Sequence, residues 1–146
     1  MQHDRLMELT PDKWRLLVSM KDIAESGLVL AEENLVVAEK LLKTGLSNRT
    51  VIRKSYYSMY HAARSAVYVR MRLDVKKHRS LIDKFKKLLI RQSGDETLAN
   101  QMNAWRMDRM KSDYDPDVEV MEGMCKSAIS DAVMILDTCK NLVEEF

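Results

Sequence analysis

Residues 53–68 read RKSYYSMYHAARSAVY, and two periodic patterns are superimposed in them. Ile52, Tyr56, Met59, Ala63 and Val67 recur every three or four residues, the spacing of the core-facing stripe of a helix. About 120° round the same helix lie Arg53, Tyr57, His61, Arg64 and Tyr68. A helix that only fills a core has no use for that second stripe. Aromatic rings, an imidazole and two guanidiniums on one face suit a phosphate or a base. A third face is small throughout: Ser55, Ser58, Ala62, Ser65 and Ala66. It predicts close approach by another helix.

Helical signals extend in both directions from this stretch. Upstream, Thr10 as N-cap, Pro11 at the first helical position and Asp12 in the first turn open a helix. Ala24, Leu28, Ala31, Leu35, Ala38 and Leu42 then form a heptad-like seam. Gly27 is a point at which this helix is free to bend or break, and Thr44-Gly45 ends it. The central helix is expected from about Ser47 to Met71. Downstream, a third is expected over about Lys76 to Arg91, with Leu81, Phe85 and Leu88 inward. A fourth runs from about Glu96 to Lys111, with Leu98, Met102 and Trp105 inward. Asp115 as N-cap and Pro116 after it predict the start of a fifth. Its seam is Met121, Cys125, Ala128, Ala132, Ile135, Cys139 and Leu142. No strand pattern competes. The expected fold is an all-α, antiparallel bundle of about five helices, a single domain over residues 10–146 preceded by a loose segment over 1–9.

Composition agrees. Four Gly and two Pro in 146 residues leave little material for the turns of an all-β fold. A net charge of +2 excludes the global basic field of a dedicated duplex-DNA binder, so any nucleic-acid role must come from a local patch. Cys125 and Cys139 sit on one expected helix, ~21 Å apart at ~1.5 Å per residue, too far to bond to each other. They read as core thiols of a reducing compartment. With no signal-like apolar run and no segment able to span a bilayer, a soluble cytoplasmic protein is expected.

The candidate site residues are Tyr57, His61, Arg64, His78, Arg106, Arg109, Asp113 and Tyr114. His61 stands between Tyr57 and Arg64 as a ligand contact or general base; its structural alternative is a half-buried imidazole bonded within a helix interface. Tyr56, Tyr57 and Tyr60 read as packing residues whose hydroxyls reach polar partners. Lys76, Lys77, His78 and Arg79 place cations at a helix start, against the dipole. With free backbone N–H groups they make an anion site, or else a solvated surface run. Arg109 lies on the apolar stripe of the fourth helix and must find a partner, Asp113 being one turn away; Arg106 flanks it. No Gly-rich phosphate loop, metal-ligand spacing or serine nucleophile motif is present, so neither a metal nor a cofactor is called for.

Three segments together resemble a known family: YYSMYHAARSAVY at 56–68, KKHRSLIDKF at 76–85 and WRMDRMKSDYDPD at 105–117. In order and spacing they look like the HEPN domain, in particular its small stand-alone prokaryotic members. The resemblance implies a helical bundle that forms homodimers and a link to nucleotides or RNA. It also implies a nucleotidyltransferase partner to which the HEPN protein is the toxin. Active relatives cut RNA without metal through an R-x(4–6)-H motif, the histidine activating a 2′-hydroxyl and the arginine holding the phosphate charge. This chain departs from that motif. After Arg109, Tyr114 stands where a histidine is wanted, and a tyrosine of pKa ~10 is a poor general base. Arg72 and His78 satisfy R-x5-H, but at the wrong junction. The resemblance therefore favours nucleotide or RNA binding over ribonuclease action. The alternative is a non-catalytic structural or regulatory dimer that binds a protein partner.

Overall fold

Thr10 and Ser47 each open a long helix as N-cap. Thr10 Oγ1 accepts from the Lys13 amide at 3.3 Å, and Ser47 Oγ from the Thr50 amide at 3.2 Å. A computed structural model describes residues 10–146, so the expectation for 1–9 lies outside the described residues. Five helices follow one another: α1 (Pro11–Thr44), α2 (Asn48–Met71), α3 (His78–Ser93), α4 (Thr97–Tyr114) and α5 (Glu122–Glu144). Gly45 and Gly94 end α1 and α3 at φ 67° and 75°, where a Cβ would be strained. No strand occurs among the described residues.

The decisive stretch is the central helix. α2 packs against each of the other four, and α1 and α5 also pack on each other. Ile52, Tyr56, Met59, Ala63 and Val67 are fully buried, and the small face of Ser55, Ser58, Ala62, Ser65 and Ala66 is buried as well. That small face admits α1. A Cβ on Gly27 would stand 2.1 Å from Ser65 Oγ. Gly27 and Ser65 are equally distant from the α1–α2 connector along the chain, so the two helices run antiparallel. Gly27 does not break α1, which continues through it; its role is close approach.

Two expectations need correction. The fifth helix does not start at Asp115-Pro116. Asp115 Oδ1 accepts from the Asp117 amide at 3.0 Å and the Val118 amide donates to Asp115 O at 3.2 Å, which makes a turn. The guanidinium of Arg49 on α2 then takes the carbonyls of Ser112, Asp115, Pro116 and Val118, the two at Asp115 and Pro116 at 3.1 Å. This fixes 115–118 as a turn against α2, and α5 begins only after Met121, which is exposed and not part of the seam. On α4, Leu98 is partly buried and packs against the core, and Ala99 beside it is fully buried. Cys125 and Cys139 are free and buried. No helix among the described residues is long and apolar enough to cross a membrane.

Candidate functional site

The second stripe of α2 begins at the exposed Arg53, is half-buried from Tyr57 to Tyr68, and divides at His61. Toward the N-terminal end of α2 it meets α3 and α4. Toward the C-terminal end it meets α1 and the connector 73–77.

The first half is a cluster of rings and cations. His78, the first residue of α3, lies with Nδ1 2.7 Å from the phenol oxygen of Tyr56. Its ring stacks on Tyr60 at 4.5 Å and on Tyr56 at 5.5 Å, and meets Tyr57 edge-on at 6.0 Å. Tyr60 in turn donates its hydroxyl to Lys76 O at 2.6 Å, which fixes the approach to α3. Opposite, the Arg109 guanidinium of α4 sits 5.4 Å from the Tyr56 ring centre and 5.6 Å from that of Tyr57, within cation–π range.

Asp113 anchors Arg109, as the spacing on α4 suggested, but at 3.5 Å. The same carboxylate is held more closely, at 3.2 Å, by Arg53 of α2. One carboxylate thus serves two guanidiniums. Arg109 is 13% exposed and its Nε is buried without a protein partner. Arg106 adds a further cation: its Nε donates to Asn103 Oδ1 at 3.2 Å, and no carboxylate pairs with it among the described residues. The local charge is therefore positive by more than one unit.

The electrostatics follow. Burial holds the His78 imidazole below its ordinary pKa, and Arg109 and Arg106 depress it further. Burial pushes the Tyr56 phenol well above its ordinary value, against the pull of the two arginines. At neutral pH the pair is an uncharged imidazole and an uncharged phenol sharing one hydrogen bond. α3 starts with no side-chain cap bond at Lys77 and no acid in its first turn, so its free N–H groups and Lys76, Lys77 and Arg79 add to the positive side.

The other half of the stripe is different in kind. Arg64 donates Nε to Asp74 Oδ1 at 2.8 Å and Nη2 to Asp74 Oδ2 at 3.2 Å. This hydrogen-bonded pair holds the Asp74 carboxyl below the usual range. Together with His61, Tyr68, Asp74 and the α1 residues Ile23, Gly27 and Leu30, Arg64 lines a cavity of about 330 Å³. His61 belongs to both halves, with its ring 5.2 Å from Tyr60 and 6.5 Å from Tyr57. Burial, and then Arg64, hold its pKa down.

Of the eight candidates, Tyr57, His61, His78, Arg106, Arg109 and Asp113 converge. Arg64 turns to the cavity. Tyr114 ends α4 with 77% exposure and joins none of the ring contacts of the cluster. Arg72 is exposed in a left-handed cap at φ 56°, and the arginines that act on His78 are Arg109 and Arg106. Sequence reasoning placed Tyr56 in the core, where it is, without seeing that its hydroxyl reaches His78. Asp74 and Arg49 were not singled out; neither has a helical spacing to its partners, so no periodic signal marks them.

An all-α bundle whose aromatic central helix meets an Arg-x-x-Arg turn of the fourth defines a class. The HEPN domain model matches residues 24–142, and the chain belongs to that family. A protein of Methanocaldococcus jannaschii described as "Putative toxin MJ0605" is 30% identical over 129 residues, 86% of this chain and 94% of the relative.

Proposed function

We propose that the Tyr57–His78–Arg109 cluster binds the phosphate backbone of RNA or a nucleotide, and that the protein acts as the toxin-like member of a pair. Residues 10–146 act in this reading as one cytoplasmic domain, with a minimal nucleotidyltransferase as the protein partner. Membership of the HEPN family supports it, as does the toxin description of the archaeal relative. One observation carries it: Arg109 is held against two tyrosine rings and shares its only carboxylate with Arg53. A guanidinium so placed is rigid and under-neutralised, which favours a phosphate oxygen. Tyr57 supplies a ring on which a base can stack. Cleavage is not part of the proposal, because the position expected to carry a general base is Tyr114, exposed and phenolic.

The test is fluorescence anisotropy with labelled single-stranded RNA at low salt. Arg109→Ala is expected to weaken binding by about 10- to 100-fold, since a charged hydrogen bond contributes roughly 1.5–3 kcal/mol. It should also flatten the salt dependence by about one phosphate contact. A folded variant that binds RNA like wild type removes the proposal.

A second reading, a structural dimer, draws on a different surface. α1 leaves Val18, Val29 and Val36 exposed on the side away from the core, which suits a second copy of the chain. Light scattering of wild type and Val29→Glu decides it: a dimer converted to a monomer supports this surface, and a wild-type monomer rejects it.

A further inference from the structure

The cavity between α1 and α2 has a chemistry that the Arg109 cluster lacks. Its walls are apolar: Ile23 and Leu30 from α1, Tyr68 from α2. Its polar end is the Arg64–Asp74 pair with His61 beside it. The pair carries no net charge. Arg64 spends Nε and one Nη2 hydrogen on Asp74, which leaves three of its five N–H hydrogens to share between the nearby Tyr60 hydroxyl and the cavity. Each Asp74 oxygen keeps acceptor capacity. The cavity therefore offers donor and acceptor side by side, between aliphatic and aromatic walls, within about 330 Å³. That volume is at the small end of ligand pockets, roughly 300–1,000 Å³.

These features choose among occupants. An anion would be repelled by Asp74 and a cation by Arg64. An apolar helix pressed over the cavity would strip water from the ion pair and from His61 without replacing the lost hydrogen bonds, which is costly. What satisfies the walls and the polar end together is a flat, uncharged ring with adjacent donor and acceptor on one edge. We infer that this cavity is a nucleobase pocket, in which Ile23, Leu30 and Tyr68 enclose the ring and the Arg64–Asp74 pair reads its edge. The inference rests on the RNA- or nucleotide-binding reading for why a base arrives, and on the cavity alone for how it is held. His61, shared by both halves of the stripe, then lies between a base in the cavity and a phosphate at Arg109.

Nucleosides test it, because they carry the base and no phosphate. Adenosine, guanosine, cytidine and uridine are titrated separately into the ¹⁵N-labelled protein. Expected are saturable amide shifts at Gly27, His61 and Ser65 with at least one of them. Asp74→Ala and Leu30→Asp should each weaken that binding tenfold or more, while Arg109→Ala should leave it in place. Loss of RNA affinity in Arg109→Ala with nucleoside binding intact separates this inference from the proposed phosphate site. Three results would overturn it: no cavity shifts at millimolar nucleoside, equal binding of benzyl alcohol, or shifts at these amides that track protein concentration and so report a second copy over the cavity.

Discussion

Arg64, beside His61, and Arg109, over the Tyr56 and Tyr57 rings, are held in opposite ways. Arg64 meets a dedicated carboxylate through two bonds, the shorter 2.8 Å. Arg109 reaches its carboxylate at 3.5 Å and shares it with Arg53. The first arrangement cancels charge and leaves a dipolar edge. The second leaves positive charge over two aromatic rings. Two guanidiniums of identical chemistry thus prepare for different ligands, and the difference lies in how many cations each carboxylate must serve.

The largest expected effect is at those carboxylates. Asp113 is 14% exposed and holds two cations, so Asp113→Ala should destabilise by up to about 3 kcal/mol, toward the ~3–5 kcal/mol of an orphaned buried charge. It should at the same time tighten RNA binding, because an anion has left a cationic site. Asp74 is 45% exposed, and Asp74→Ala should cost less than about 1 kcal/mol and, unlike Asp113→Ala, should not tighten RNA binding. Urea melts and anisotropy on both variants check this. Equal losses of stability would erase the contrast between the two arginines.

A second prediction concerns what brings α1 to the cavity side. Gly27→Ala should destabilise by about 1–2 kcal/mol, since overpacking costs roughly 1–3 kcal/mol and better helix propensity returns up to about 1 kcal/mol. The double variant with Ser65→Ala should recover most of the loss, because Ser65 Oγ is the atom a Cβ would meet. If the double variant is no more stable than Gly27→Ala, the close approach is not what the glycine serves.

The contrast was only partly legible in the sequence. The core stripe of α2, its small face, the inward residues of α3 and the α5 seam from Cys125 onward follow from a period of 3.6, and the structure buries them as that period requires. The Arg109–Asp113 pair is a one-turn spacing and was legible for the same reason. Asp74 lies beyond the end of α2, and Arg49 reaches a loop more than sixty residues away. Such partners are set by topology, which leaves no periodic trace. Asp115-Pro116 misled because an Asp-Pro start and an Asp-Pro turn use the same residues. What marks the turn is Arg49, whose guanidinium reaches four carbonyls of 112–118 from α2.

Arg49 gives the third prediction. It sets the end of α4, where Asp113 sits, through four carbonyls. Lysine keeps the charge but not the fork. Arg49→Lys should cost about 1 kcal/mol, within the ~0.5–1.5 kcal/mol of a typical hydrogen bond, and should shift the amides of 113–118 more than those around the cavity. Equal shifts at both places would mean that the loop does not bear on the Arg109 side alone.

The smallest effect is the response to pH, and its sign is fixed by the two histidines. His61 and His78 are both held below the ordinary value of 6.5, first by burial and then by arginines. Above about pH 6.5 both are neutral in the folded and the unfolded chain, and they contribute no slope. As pH falls through 6.5 the unfolded chain takes up protons first, so stability declines until the folded imidazoles protonate in turn. Asp74 and Asp95, held below their ordinary 3.8 by Arg64 and by Thr97, add a separate loss only at lower pH. The two halves of the stripe can be told apart in the upper window. His78 faces Arg109 and Arg106 among three tyrosines, whereas His61 faces Arg64, whose charge Asp74 offsets. Bound RNA should neutralise the field at His78 and raise its pKa while moving His61 less. Imidazole NMR titrations with and without RNA read this directly, and His78→Gln should remove the RNA-dependent part of the slope. If RNA shifts both histidines equally, or neither, the positive charge assigned to the Arg109 side is not what meets the nucleic acid.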